Sequence, residues 1–443
     1  MDTYAIMTVT ALPDTVVHQS RRRLQMYEGQ KRIGSILAAC LVLLIIVIAV
    51  AGCQSKPSDA SAEPSKTPRP ADAKLPALPT NTHTPEPSPT PSATAEPPTS
   101  TPTATPTEMP TLAVGIYPTL SPDQCPLTGL EVSDLGLLDR RPLAIKVQNA
   151  AISRPQYGLP QADIVYEHLS EAGITRFTAI YLCQEVDKIG STRSARFIDL
   201  ELPAMYKSLM AFSGTSAGLY PLFLNADFYD RQFCYGWGLH SEGFYRDQEL
   251  RKSGIPIEHT LFADPNKIWD IAGELGINEA QDLRGMDFAV EPPEDGQPAT
   301  QIEIPYPSRD MVVEYRYDPA SESYLRWQAG VPHVDATSGE QLSATNVVVV
   351  YATHVDTDIF EDEPRRNHPS VQIQLWGTGP AVIFRDGQAF EGLWARPKRE
   401  SMLLFRDPAG QVPIPLKPGN TWIQLVPLPG HRWSREATWN EGE

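Results

Sequence analysis

From Lys56 to Pro122 the chain runs through a tract rich in Pro, Thr, Ser and Glu, with THTPEPSPTPSATAEPPTSTPTATPTEMPT in its middle. Its few apolar residues cannot offset the entropy of ordering a backbone, so the tract reads as an unfolded tether. Extended like polyproline at ~3.1 Å per residue it reaches on the order of 200 Å, and as a coil far less. Proline outnumbers glycine, 43 to 29, and the excess belongs to this tract rather than to a fold. The chain is therefore divided: a leader before the tract, and after it the stretch able to bury a core. The expected boundaries are 1–53, 54–122, a first domain 123–285, a second 298–429 and a tail 430–443.

The leader carries an export pattern. Ile33 to Gly52 is almost wholly apolar and follows Lys31, Arg32 and the run Arg21-Arg22-Arg23, with the basic side expected to stay inside. It ends in Val50-Ala51-Gly52-Cys53, which resembles the lipobox of bacterial lipoproteins. The resemblance implies that the Cys53 thiol is lipidated with diacyl, palmitate-type chains and becomes the N-terminus. The alternative is an uncleaved membrane anchor, because about 20 apolar residues span a bilayer. Either reading places the rest of the chain on the extracytoplasmic face of the cell membrane. Met26 opens a leader of ordinary length and is a second candidate start.

A formal net charge of −17 and a pI of about 5.0 argue against nucleic acid as a partner, since phosphate recognition needs a basic footprint. Against that background the stretch Ile174 to Asp199, with a turn expected at Lys188-Ile189-Gly190-Ser191, concentrates cations: Arg176, Lys188, Arg193 and Arg196, with Asp199 three residues beyond the last. Planar guanidinium groups clamp phosphate or carboxylate well. Asp163, Glu167, Asp187 and Asp199 are the internal carboxylates expected to compete for them. Cys125, Cys183 and Cys234 lie in the foldable part; one disulfide is expected there, its pairing open. Nothing has zinc-ligand spacing, and no metal site is expected.

The first domain reads as α/β. Pro142 to Val147, Asp163 to His168, Thr175 to Leu182 and Leu209 to Ser213 are strand-like. Ala195 to Leu209 reads as a helix kinked at Pro203, and Leu219 to Leu224 as a second helix. The polar loop Gln148 to Gly158, with Asn149, Arg154 and Gln156, is a place for a site. Beyond the connector VEPPEDGQP, nine β-rich segments follow: Gln301–Ile304, Met311–Tyr317, Tyr324–Gln328, Asn346–Ala352, Val371–Leu375, Ala381–Arg385, Gln388–Trp394, Ser401–Phe405 and Trp422–Val426. Asp386-Gly387 marks a hairpin. The expected class is α+β: an α/β domain with a mixed sheet, then a mostly β domain, sandwich or barrel.

The motifs CPLTGL, RRPLAIKVQNAAISRPQYGLPQADIVYEHLSEAGITRF, IGSTRSARFIDLELP and FSGTS resemble the YerB-like family of bacterial lipoproteins, a domain of unknown function with its own C-terminal companion domain. The resemblance runs from Cys125 to Pro427 and implies an envelope lipoprotein without an assigned activity. Where the family has Pro-His-Asn-Leu, this chain has Glu258-His259-Thr260-Leu261; His259 matches and the Asn is replaced. The order strand, Arg193/Arg196/Asp199, then Ser213 to Gly218 is also similar to the LytR-CpsA-Psr transferases, with a different Arg-Asp spacing.

Each candidate has a bland counterpart. His259 is a general base or a satisfied turn histidine. His354 to Asp358 with Glu361 to Glu363 is a cation site or a solvated acidic loop. Trp327, Trp376, Trp394 and Trp422 form a carbohydrate platform or a core. Ser194, Ser213 and Cys183 lack the context of a nucleophile. The expectation is a membrane-anchored lipoprotein binding an anionic ligand or partner of the envelope, such as a cell-wall polymer or an envelope protein. Its candidate ligand residues are Arg176, Arg193, Arg196, Asp199, Asn149, Arg154, Gln156 and His259. The alternatives are a transferase or hydrolase on polyprenyl-linked phosphate, using Mg²⁺ as the sole cofactor any reading calls for, and a structural interaction module.

Overall fold

The four-valine run at 347–350 occupies the interior of the large sheet, and its lack of alternation has a simple cause: both faces of that sheet are covered. The computed structural model describes Leu120 to Gly442 apart from Glu363; the leader, Cys53 and nearly all of the tether lie outside the described residues. Among them no helix is long and apolar enough to cross a membrane.

The strands are β1 (Leu143–Gln148), β2 (Ile164–Leu169), β3 (Thr175–Tyr181), β4 (Ile189–Gly190), β5 (Leu209–Phe212), β6 (Gln232–Cys234), β7 (Phe244–Arg246) and β8 (Leu261–Ala263). After the connector come β9 (Gln297–Pro298), β10 (Gln301–Pro305), β11 (Val312–Asp318), β12 (Ser323–Gln328), β13 (Val331–Pro332), β14 (Ser343–Ala344) and β15 (Asn346–Phe360). The last are β16 (Pro369–Gln374), β17 (Gly377–Arg385), β18 (Gln388–Arg396), β19 (Leu404–Arg406), β20 (Thr421–Pro427) and β21 (Thr438–Asn440). Every strand expected from the sequence is present. The hairpin at Asp386-Gly387 has positive φ at both residues, 54° and 70°, as a two-residue connection of the primed type requires.

A 12-stranded mixed sheet follows the order β19-β18-β17-β15-β20-β2-β3-β1-β5-β6, with β16 and β9 on its flanks. β20 lies between β15 and β2 and is parallel to both. The expected division near 285–298 is thus a division of the chain, while in space the sheet runs across it. A six-stranded sheet, β13-β12-β11-β10-β21 with β14, supplies a second β layer, and β4-β8-β7 forms a small third sheet.

Alternation assigns the two faces of the large sheet. Ala144, Tyr166, Ile180, Val348, Val350 and Leu425 share one core with Ile198, Leu202, Met205, Tyr206 and Phe223. Ile145, Phe177, Ala179, Val347, Val349 and Trp422 share the other with Ile302, Ile304, Val313, Tyr315 and Tyr324 of the six-stranded sheet. The helix Pro265–Glu274 joins this second core through Ile268, Trp269 and Ala272. Its start is set by Asp264, whose carboxylate accepts from the Lys267 amide at 3.0 Å, and by Pro265 in the first turn.

Three expectations need correction. The helix expected over Ala195 to Leu209 is a 3₁₀ turn, Phe197–Leu200, and a single α turn, Leu202–Met205; tertiary packing of Ile198 and Leu202 decides it, not periodicity. Ile189-Gly190, expected within a turn, pairs with β8. His354 to Asp358 belongs to β15, which runs on past the large sheet and pairs there with β16. Of the tryptophans, Trp394 and Trp422 are buried, as the core reading has it, whereas Trp376 is exposed.

Because β20 joins both halves, the variant Leu425→Ala is expected to lose about 3 kcal/mol and to shift one cooperative thermal transition as a whole. Scanning calorimetry checks this, and a second transition left at the original temperature would contradict it.

Candidate functional site

Charged residues at the interior of β1, β2 and β3 build two buried polar clusters on opposite faces of the sheet. In register, Lys146 faces Thr178, while Arg176 lies between Gln148 and His168. Alternation sends these side chains to the first face. There Lys146 Nζ lies 2.7 Å from Asp199 Oδ2 and donates to Thr178 Oγ1 at 3.0 Å. Thr178 Oγ1 in turn donates to Asp199 Oδ1 at 2.7 Å. Burial and the neighbouring Lys146 push His168 down to about 3, so it is neutral. Its Nε2 accepts from Lys146 Nζ at 2.6 Å and its Nδ1–H donates to the Leu169 carbonyl at 3.0 Å. Burial also lowers Lys146 to about 8 against the pull of Asp199, which leaves it charged at neutral pH.

The arginines sit beside this group. Arg176 Nη2 donates to Glu171 Oε1 at 2.6 Å, and its Nη1 to the Ser194 carbonyl at 2.7 Å. Arg196 takes the same carboxylate in two-pronged fashion, Nε to Oε2 at 2.8 Å and Nη2 to Oε1 at 2.7 Å. Glu361, carried in from beyond the end of β15, places Oε2 3.4 Å from Arg196 Nε. Burial would raise the Glu171 carboxyl, but Arg176 and Arg196 outweigh it and hold the group well below the usual range. Asp199 closes the turn, accepting from the Arg196 amide at 2.6 Å.

Arg193 differs. Its Nε donates to Gln148 Oε1 at 3.1 Å and its Nη1 to the Glu258 carbonyl at 3.2 Å. Among the described residues no carboxylate lies within ion-pair distance of it, and it is only partly buried. His259 stands close enough that burial and then Arg193 lower its pKa; its Nδ1 is buried without a partner. Arg176 Nε, also buried, has none either. Arg193 is therefore the partly exposed cation of this group without a carboxylate partner among the described residues.

Asn149, Arg154 and Gln156 go elsewhere. Asn149 Nδ2 donates to Thr175 Oγ1 at 2.8 Å and to Gln328 Oε1 at 3.3 Å. Arg154 Nη2 reaches the Asp310 carbonyl at 2.7 Å. Gln156 Oε1 accepts from His333 Nε2 at 2.6 Å. Arg326, fully buried, bonds Glu167 Oε2 and Gln328 Oε1, both at 2.7 Å, and contacts His333 Nδ1. This second network fastens the large sheet to the six-stranded one. The carboxylates expected to pair with the arginines do not all do so: Glu167 takes Arg326, Asp163 accepts from the Leu182 and Cys183 amides, and Asp187 meets Asn266.

Sequence reasoning missed Lys146, His168, Glu171, Arg326 and His333, and it assigned Glu361 to a cation site or acidic loop rather than to Arg196. A usable signal was present for Lys146, Glu167-His168 and Arg326: a charge flanked by apolar residues inside a strand marks a buried, paired group. Nothing local marks Glu171, and the acidic cluster that marks Glu361 does not point to an arginine.

The fold is α+β with a mixed sheet, and an arginine-lined polar cluster lies at the start of β3. The chain belongs to the family described as "Protein of unknown function (DUF3048)", whose N-terminal domain matches residues 127–278 and whose C-terminal domain matches residues 302–423. Among relatives, "Putative lipoprotein YerB" of Bacillus subtilis (strain 168) is 29% identical over 308 residues, covering 69% of this chain and 86% of the relative. The crystal structure of the YerB protein from Bacillus subtilis superposes with a TM-score of 0.57 at 27% identity, covering 68% of this chain and 96% of that one.

Glu171→Gln strips the shared partner from two buried guanidinium groups and is expected to cost about 3 kcal/mol at pH 7, read from urea unfolding. The folded carboxyl is depressed, so its contribution is present above the unfolded pKa and lost as pH falls through the folded value. The gap between wild type and variant should therefore narrow below about pH 4.

Proposed function

We propose that this chain is an extracytoplasmic, membrane-anchored lipoprotein that binds an anionic cell-envelope ligand at the surface where Arg193 and His259 meet. The observation that carries the reading is Arg193, an arginine held by Gln148 and a backbone carbonyl with no carboxylate at ion-pair distance among the described residues. Its fixed, partly exposed guanidinium offers charged donors to phosphate or carboxylate oxygens. The Val50-Ala51-Gly52-Cys53 sequence and a relative named as a lipoprotein support the anchor. The Cys125–Cys183 disulfide suits an oxidising compartment outside the cytoplasm.

The transferase reading fits less well. Glu171 and Asp199, the carboxylates nearest the arginines, are already engaged by Arg176, Arg196 and Lys146, which makes a poor donor set for Mg²⁺. The reading as a structural interaction module draws its support from that same internal pairing.

Calorimetric titration of the full-length chain in detergent with inorganic pyrophosphate, and with purified wall carrying its anionic polymer, tests the proposal. Binding is expected to weaken with salt. Arg193→Ala should reduce it about tenfold, the loss of one or two charge-assisted hydrogen bonds, in a chain that still melts in a cooperative transition. Absence of binding to either probe would leave the interaction module as the better account.

A further inference from the structure

Away from the arginines, at the other end of β3, a second reactive group is assembled. Cys125 and Cys183 are bonded to each other, Cys125 fully buried and Cys183 partly exposed. A carboxylate oxygen of Asp163 and the two sulfurs all lie within 4.8 Å of one another. Because the sulfurs are joined, neither offers a thiolate to a metal, and the triad is read as proton and electron chemistry instead.

Asp163 is completely buried. Its Oδ2 accepts from the Leu182 and Cys183 amides at 2.6 and 3.0 Å, while Oδ1 is buried with no hydrogen-bond partner. An orphaned carboxylate oxygen is costly in such a place. The charged and titratable groups facing it are already engaged: Arg140 donates to the Leu182 and Gln184 carbonyls and lies over the Trp269 ring, and the Tyr181 hydroxyl donates to the Gly158 carbonyl. The remaining donor chemistry within reach is a cysteine thiol, which exists when the disulfide is open. Burial raises the Asp163 carboxyl to about 7, a value suited to passing a proton near neutral pH. Beside this group lies a surface recess of about 210 Å³, lined by Gln124 and Pro126, which flank Cys125, and by Leu182, which precedes Cys183.

We propose that Cys125, Cys183 and Asp163 form a thiol–disulfide exchange centre, in which Asp163 carries the proton of the Cys125 thiol and the recess admits a disulfide-bearing segment of an oxidising partner protein. In closure, the Cys183 thiolate attacks one partner sulfur; the partner disulfide breaks, and the released thiolate takes from solvent the proton that Cys183 gave up. Asp163 then removes the Cys125 proton, and the Cys125 thiolate attacks Cys183 Sγ. The second partner sulfur leaves and is protonated. The chain loses two electrons and the partner's disulfide gains them, ending as a dithiol. In the reverse direction, with a dithiol as reductant, protonated Asp163 gives its proton to the departing Cys125 sulfur. Asp163 acts here on the reacting sulfur itself.

The reverse reaction starts from the folded, oxidised chain and gives the test. The full-length protein is opened with dithiothreitol between pH 5 and 9, and the alkylated peptides carrying Cys125 and Cys183 are quantified by mass spectrometry. The rate divided by dithiothreitol thiolate concentration is expected to fall about tenfold as pH rises through about 7, because Asp163 loses the proton it donates. Asp163→Asn should show a low, flat profile. A flat normalised profile in the wild-type chain would overturn the proposal without reference to any variant. Gln124→Trp, which fills the recess, should slow exchange with a disulfide-bearing peptide more than with dithiothreitol; equal rates for variant and wild type with the peptide would overturn the docking role of the recess.

Discussion

The parallel pairing of β20 with β2 on one side and β15 on the other is the constraint on which the structure rests. All seven residues of β20 are buried, and its two edges are hydrogen-bonded to strands more than 170 residues apart in the chain. Parallel strands covered on both faces must satisfy every backbone group inside the sheet. The part of the chain after the connector therefore supplies the neighbour that β2 needs. With β20 in place, β2, β3 and β1 present one row of side chains to each face, and each row carries charge.

Those charges explain the composition of the two polar clusters. Burying an ion is costly unless its partners are exact in number and position, and the pairings divide by face. Lys146 with Asp199, and Arg176 and Arg196 with Glu171, are held on the first face; Arg326 with Glu167 is held on the second, between the sheets. The first cluster reaches its edge with one guanidinium left over from this pairing, that of Arg193. The second is closed by amides and a neutral His333, whose pKa burial and Arg326 hold well below its usual value. One face thus ends in spare donors and the other in a sealed joint, although the same strands feed both.

Much of the fold was legible along the chain. Apolar and β-branched runs located the strands, and Asp386-Gly387 located a hairpin. Legibility failed where local preference competed with packing: Ala195 to Leu209 has a helical pattern but packs as two short turns. The candidate site was legible in part. Arg176, Arg193, Arg196 and Asp199 do come together, yet Asn149, Arg154 and Gln156, close to β1 in sequence, pass to the opposite face. A strand reverses the direction of its side chains at every residue, so nearness in sequence says nothing about which cluster a residue joins.

Composition and local pattern alone determined the proline-rich character of the tract before Pro122, the longer strands, and the concentration of arginine between Ile174 and Asp199. These depend on entropy, periodicity and charge count, all additive along a sequence. Tertiary structure decided that β20 joins the two halves in one sheet, that Cys125 pairs with Cys183 while Cys234 stays free and buried, and that Glu171 and Glu361 neutralise arginines the sequence placed near other carboxylates. Pairing depends on distances between residues remote in the chain, and those distances exist once the sheet has closed.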